Sequence, residues 1–267
     1  MLYLLRFFTI NSFKNKKFTG IAALCALPVV FTLLFIVLYS LFTEQEINFS
    51  ALFPKISLLL YVHFLLPLVS LFLGSAVIGD EREEQTLSYL LTRPVPRARI
   101  IQAKLLSSWV MLSVILNISL FFSYSILTIG SGISHWSSSL LIFIKSGAVL
   151  VTGAAVYLSL FALVGGLLKR PVVAGLFFIF GWEASVAFLP GKIKYATIVH
   201  YLHSLYPSLN QVNNTQNLKA NILNFIVSVK NISPLTSIIV LTAIAGICIF
   251  AASLLLSIKE YRLDQNQ

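Results

Sequence analysis

Six apolar stretches follow one another along this chain, at Gly20–Phe42, Ile56–Ile78, Leu105–Ile129, Leu140–Leu168, Val172–Leu189 and Pro234–Ile258. A helix of about 20 such residues matches the roughly 30 Å hydrocarbon core of a bilayer. In lipid, every backbone N–H and C=O must be paired within the protein, which leaves helices for stretches of this length. Composition agrees: 58% of the 267 residues are hydrophobic and 10% are charged, against about 25% charged in soluble domains. The expected fold is an all-α integral membrane protein of about six transmembrane helices, organised as a single domain over residues 1–267.

The distribution of bases sets the expected orientation. Arg6, Lys14, Lys16, Lys17, Arg82, Arg93, Arg97, Arg99, Lys104, Lys169, Arg170, Lys259 and Arg262 fall on one side of the expected spans. Lys55, Lys145, Lys192, Lys194, Lys219 and Lys230 fall on the other. The positive-inside bias then places both termini and the segment 80–104 in the cytoplasm. The net charge of +10 is accounted for by these flanks, with no aromatic and basic groove for a nucleic acid. Residues 1–18 place Leu2, Leu5, Phe8 and Phe13 on one helical face, as expected of an amphipathic helix lying in the inner interface. A cleavable leader is the rival, but the apolar run is span-length and lacks a small-residue cleavage site.

Charge is dense in one place, Asp80–Lys104, between the second and third spans. Asp80 and Glu83 have capping-box spacing, and the acids would occupy a first turn, where the helix dipole favours them. Leu87, Leu90 and Leu91 then form a narrow apolar stripe, and Pro94 ends the helix by forcing Arg93 out of helical geometry. A second helix is expected to start near Arg97 and to run into the third span. By charge and spacing alone, the segment is either a docking element or a solvated connector whose bases fix topology.

Other candidates are fewer. Glu183 is the sole acid inside an expected span, and His63 lies in the second. Intramembrane ionisable groups mark pathways or buried partners, so both are candidates for a translocation path. For Glu183 the plainer alternative is an interface-level carboxylate paired with Lys192 or Lys194; for His63 it is a packing or helix–helix hydrogen bond. The long outer segment 190–233 contains Tyr195–Tyr206, with apolar spacing that suggests an interfacial helix. His200 and His203 on it have no Cys, Asp or Glu beside them, so no metal site is expected. Cys25 and Cys248 lie in spans and read as packing residues. Asn213 and Asn231 begin glycosylation-type triplets, of a kind common by chance. There is no phosphate-binding G-x-x-x-x-G-K-[ST] loop, so this chain does not itself hold ATP in that way.

The run formed by Glu81, Arg82, Glu83, Thr86, Leu87, Leu90, Leu91, Pro94, Val95, Arg97, Ile101 and Lys104 resembles the coupling loop of ATP-binding cassette (ABC) type-2 permeases. Gln85 departs from the pattern, standing where a glycine usually precedes the threonine. The layout is similar too: an amphipathic N-terminal elbow, six spans and an outer re-entrant or interfacial segment before the last. This resemblance implies a non-enzymatic permease subunit of an exporter in the cytoplasmic membrane, with no cofactor of its own. ATP and Mg would be bound by a separate ABC ATP-binding subunit. Leu87, Leu90 and Leu91 would fill a groove on that subunit, and Glu81, Arg82 and Glu84 would set register by ion pairs. A homodimer, or a pseudo-dimer with a related permease, surrounded by membrane lipids, is implied as the working unit. Two other classes stay open from the residues: an ATPase-independent scaffold or channel-like protein recruiting a soluble partner, and an intramembrane enzyme in which Glu183 and His63 would have to meet.

Overall fold

The computed structural model describes residues 16–42, 49–83, 97–131, 136–168, 170–188, 192–206 and 233–258. Everything regular within them is helical. The elements are α1 (Lys16–Phe42), α2 (Phe49–Ser57), a π-helical segment π1 (Leu58–Leu65), α3 (Leu66–Glu83), α4 (Arg97–Ser131) and α5 (Trp136–Leu167). There follow α6 (Pro171–Leu176), a second π-helical segment π2 (Phe177–Glu183), α7 (Ala184–Phe188), a 3₁₀ turn (Lys192–Ala196), α8 (Ile198–Leu205) and α9 (Pro234–Ile258). Among the described residues, five helical stretches are long and apolar enough to cross a membrane, and Pro171–Val186 is a shorter apolar one. The chain is an all-α integral membrane protein, as its apolar runs require.

The bundle is centred on α5, which packs against α3, α4 and α9. Two helices come unusually close because glycine faces backbone. A Cβ on Gly74 of α3 would sit 2.8 Å from Phe161 Cβ and 3.0 Å from the Leu158 carbonyl oxygen of α5. One on Gly165 would sit 2.9 Å from the Ser75 carbonyl oxygen. Lipid offers no hydrophobic drive for helix pairing, so this close van der Waals approach is what small residues contribute. Trp109 adds a tie between α4 and α5, its indole N–H donating to the Val151 carbonyl at 2.9 Å. By contrast, α1 and α9 expose large apolar residues such as Phe31, Leu34, Ile239 and Phe250, the surface that lipid accepts. A wholly apolar groove of about 310 Å³ lies between α1 and π1, lined by residues including Pro28, Phe31, Leu60 and Phe64.

A small separate cluster joins Val77 and Ile78 of α3, Ile101 and Leu105 of α4, Ala162 of α5 and Ala252 of α9. It lies at the end of the bundle where α3 stops and α4 begins, flanking the charged segment.

Three expectations need correction. No helix starts at Asp80: α3 runs through it to Glu83, because extending a formed helix avoids the unfavourable nucleation that a new one requires. The helix expected within residues 190–233 forms, but Ile198, Val199, His200, Leu202 and His203 are buried, so α8 is covered by protein and packed against the spans. The fifth expected span, Val172–Leu189, is one continuous helix made of α6, π2 and α7, but it is shorter than the five long apolar ones. The expected amphipathic segment lies almost entirely outside the described residues, as do Glu84, Thr86, Leu87, Leu90, Leu91 and Pro94.

Candidate functional site

Both π-helical segments carry one of the ionisable residues picked out within the spans: His63 in π1 and Glu183 in π2. Their wider turns show directly in the hydrogen bonds, Leu66 N–H reaching the Tyr61 carbonyl and Ala184 N–H the Ile179 carbonyl, each five residues back. An inserted π turn rotates the following face of a helix, and such turns are common at functional positions. Here they bring polar groups to the flanks of α8.

Glu183 is 3% exposed. One carboxylate oxygen, Oε1, accepts the Ile198 N–H at 3.1 Å, and the other, Oε2, accepts the Tyr157 hydroxyl of α5. Helix starts leave N–H groups without intrahelical partners, and Thr197 at the N-cap is extended, with φ −106° and ψ 140°. The carboxylate therefore performs the capping from another element and pins the start of α8 to α5. It does not snorkel outward; the side chains of Lys192 and Lys194 lie outside what the structure describes.

The middle of α8 is held by histidines. His63 Nδ1 lies 3.2 Å from the Leu58 carbonyl oxygen, which can only accept, so Nδ1 carries the proton. His63 Nε2 is then the acceptor for His203 Nε2–H, 3.2 Å away. The rings meet edge to face with centroids 4.6 Å apart. His203 lies outside the membrane-spanning helices and its affinity for a proton is well below the ordinary histidine value, through burial first and then the neighbouring His63 and His200. His200 packs edge-on against the Tyr195 ring at 5.1 Å. At the far end of α8, the Tyr206 hydroxyl bonds Ser57 of α2, and Ser204 bonds Ser237 of α9. Room for α8 comes from α5: a Cβ on Gly153 would stand 2.6 Å from Leu66 Cδ2 and 3.1 Å from Leu202 Cδ1.

A second polar ladder links α1, π1 and α4. The Tyr61 hydroxyl is 2.9 Å from Ser119 Oγ and 2.8 Å from Ser123 Oγ, while Ser119 also donates to the Cys25 carbonyl.

Of the residues singled out from sequence, the structure brings His63 to His203, and it gives Glu183 and His63 different partners. The meeting that an intramembrane enzyme would need is absent among the described residues. No group of three or more His, Cys, Asp or Glu side chains able to hold a metal occurs among them either. Glu81, Arg82 and Glu83 form the last turn of α3, Arg97 opens α4, and Lys104 lies half-buried within it. Tyr157, Tyr61, Ser57, Ser237 and Gly153 were not foreseen. Tyrosines inside apolar spans were the available signal, since a buried hydroxyl needs a partner.

With this arrangement in hand, the comparison with known families is specific. The family model described as ABC-2 family transporter protein matches residues 59–258, from π1 to the last turn of α9, and so takes in α8 and most of the residues that hold it. No curated protein matches the chain. The chain belongs to the ABC-2 transporter permease family and is a membrane transport subunit of an ABC system.

Proposed function

We propose that this permease moves its substrate out across the cytoplasmic membrane, using ATP hydrolysed by a separate ABC ATP-binding subunit docked on residues 80–104. The observation that carries the reading is the continuity on either side of the charged segment. Glu83 ends an 18-residue helix and Arg97 begins one of 35 residues, and both helices are clamped beside it by the Val77, Ile78, Ile101, Leu105, Ala162 and Ala252 cluster. A push on residues 84–96 is therefore delivered to two spans at once. Close-packed interiors transmit such displacements instead of absorbing them.

In this reading, Glu81, Arg82, Glu83 and Glu84 fix the docking register by ion pairs, and Leu87, Leu90 and Leu91 fill a groove on the ATPase. Thr86 and Pro94 shape the turn. Arg97 and Lys104 pass the motion into α4. Two copies, or this chain and a related permease, would enclose the path. The bases on this face support a cytoplasmic position for it. His63 and Glu183 act at the other end, on α8, as holding groups for the outer side of the path.

The test is co-purification in mild detergent from the native cell, comparing the wild type with Leu87→Asp/Leu90→Asp. An ABC ATPase should accompany the wild type and be lost from the variant, with unchanged amounts of permease in the membrane. No ATPase with either form would refute the reading.

A further inference from the structure

We propose that the His63–His203 hydrogen bond is an acid-sensitive latch that holds α8 against the second span, so that protonating either ring frees the middle of this helix.

The geometry leaves the pair no way to keep its bond and take up a proton at His63. His63 Nδ1–H is committed to the Leu58 carbonyl, so a further proton must go to Nε2. That places an N–H against the His203 Nε2–H across 3.2 Å. A proton on His203 goes to Nδ1 and leaves its Nε2–H bond to His63 in place, so what opposes it is burial: it creates a cation without a carboxylate partner on a side chain that is 6% exposed, beside His63 and His200. Burying an unpaired charge is unfavourable enough that the helix moves instead.

Every neighbour of the latch bears on this. From π1 come His63 and Tyr61, the latter already bonded to Ser119 and Ser123. From π2 comes Glu183, the one carboxylate on these elements among the described residues; it is held by Tyr157 of α5 and by Ile198 N–H at the start of α8. Lys145 of α5 is exposed. α2 carries the neutral hydroxyl of Ser57 and the half-buried Lys55, and α9 the hydroxyl of Ser237. The 3₁₀ turn contributes Tyr195, and α8 itself His200, Tyr201 and Tyr206. Among the described residues no carboxylate bonds to either latch ring, so nothing rewards its protonation. The sign follows. A histidine whose folded-state affinity for protons is depressed stabilises the closed form fully above about pH 6.5, and that contribution is lost as the pH falls below it.

The test is hydrogen exchange of the full chain in nanodiscs, reading residues 198–206 as exchange rate relative to the intrinsic rate at each pH. Protection should be level from pH 8 to 7 and fall by about tenfold per pH unit below about pH 6.5. A segment of α5 around residues 154–162 should hold its protection. The double variant His63→Gln/His203→Gln replaces the ring pair with amides that do not titrate, and its profile should be flat. His200→Gln should keep the wild-type slope. A wild-type profile that is level down to pH 5 would overturn the proposal, and this needs no variant to fold. So would a slope that survives in the double variant, or one that disappears with His200→Gln.

Discussion

Replacing Glu183 with alanine removes two acceptors at once from a site with almost no access to water. The Tyr157 hydroxyl and the Ile198 N–H, which it now accepts, would be left buried without partners. Each such orphan costs about 1–3 kcal/mol. The groups share one acceptor and can relax together, so about 3 kcal/mol is expected for the pair, not the sum of the upper limits. That is roughly a hundredfold in the population of a detached α8. Glu183→Gln separates geometry from charge. Its oxygen can still accept from Ile198, and its amide can donate to the Tyr157 oxygen once that hydroxyl rotates. The expected loss is within about 1 kcal/mol, that of one neutral bond. Amide exchange of residues 198–206 at pH 7.5 reads the local effect, with thermal unfolding in detergent beside it. A double-mutant cycle with Tyr157→Phe should show coupling of about 1 kcal/mol or more, because the two side chains share the bond. If Glu183→Ala leaves α8 protection unchanged, or if the cycle is additive, the carboxylate is not what pins this helix.

Gly74→Ala should destabilise by about 1–3 kcal/mol, as overpacking does, since its Cβ would stand 3.0 Å from backbone at Leu158. Gly246→Ala in α9 is its control: nothing lies within 4 Å of that Cβ, and removing a helical glycine should be neutral or stabilising by up to about 1 kcal/mol. Thermal unfolding in detergent checks both. Tyr61→Phe strips the bridge to Ser119 and Ser123 and should lower stability by about 1 kcal/mol, with the loss reduced when both serines are replaced by alanine.

The spans were legible because lipid imposes a strong rule, apolar side chains over a fixed length, and the chain obeys it in runs such as Leu140–Leu168. The start of α4 at Arg97 was legible too, from a proline-bearing stretch followed by a long run without proline. What could not be read was local geometry set by distant partners. Nothing in LLLYVHFL or FFIFGWE announces a π turn, because the extra residue is stabilised by what the turned face then meets: His203 for one segment, Ile198 and Tyr157 for the other. The same holds for α8. Its apolar spacing and aromatic rings fit an interfacial helix equally well, and the choice was made by Gly153, which opens a seat in α5 that no pattern within residues 195–206 reveals. Asp80 misled for the opposite reason, as a good capping residue placed where a helix was already propagating.

The two ends of the bundle are held by different kinds of contact, and this decides which end can move. Around Gly74 and Gly165 the backbones of α3 and α5 touch, and separating them would open voids along both helices with nothing to compensate. Around α8 the packing of the buried Ile198, Val199 and Leu202 side chains is joined by a set of discrete polar bonds: Glu183 to Tyr157 and Ile198, His203 to His63, Tyr206 to Ser57 and Ser204 to Ser237. Deleting one partner of such a bond is expensive because the other is stranded. Opening all of them together is a different process, in which each freed group finds water or another partner. Helix-to-helix polar bonds in membranes then contribute only about 0.6 kcal/mol each on average. The polar part of a concerted release of α8 therefore costs less than the sum of single deletions suggests. On the proposed docking of an ATPase at residues 80–104, a displacement entering at Glu83 and Arg97 would pass the glycine contact as a rigid shift and be taken up at α8.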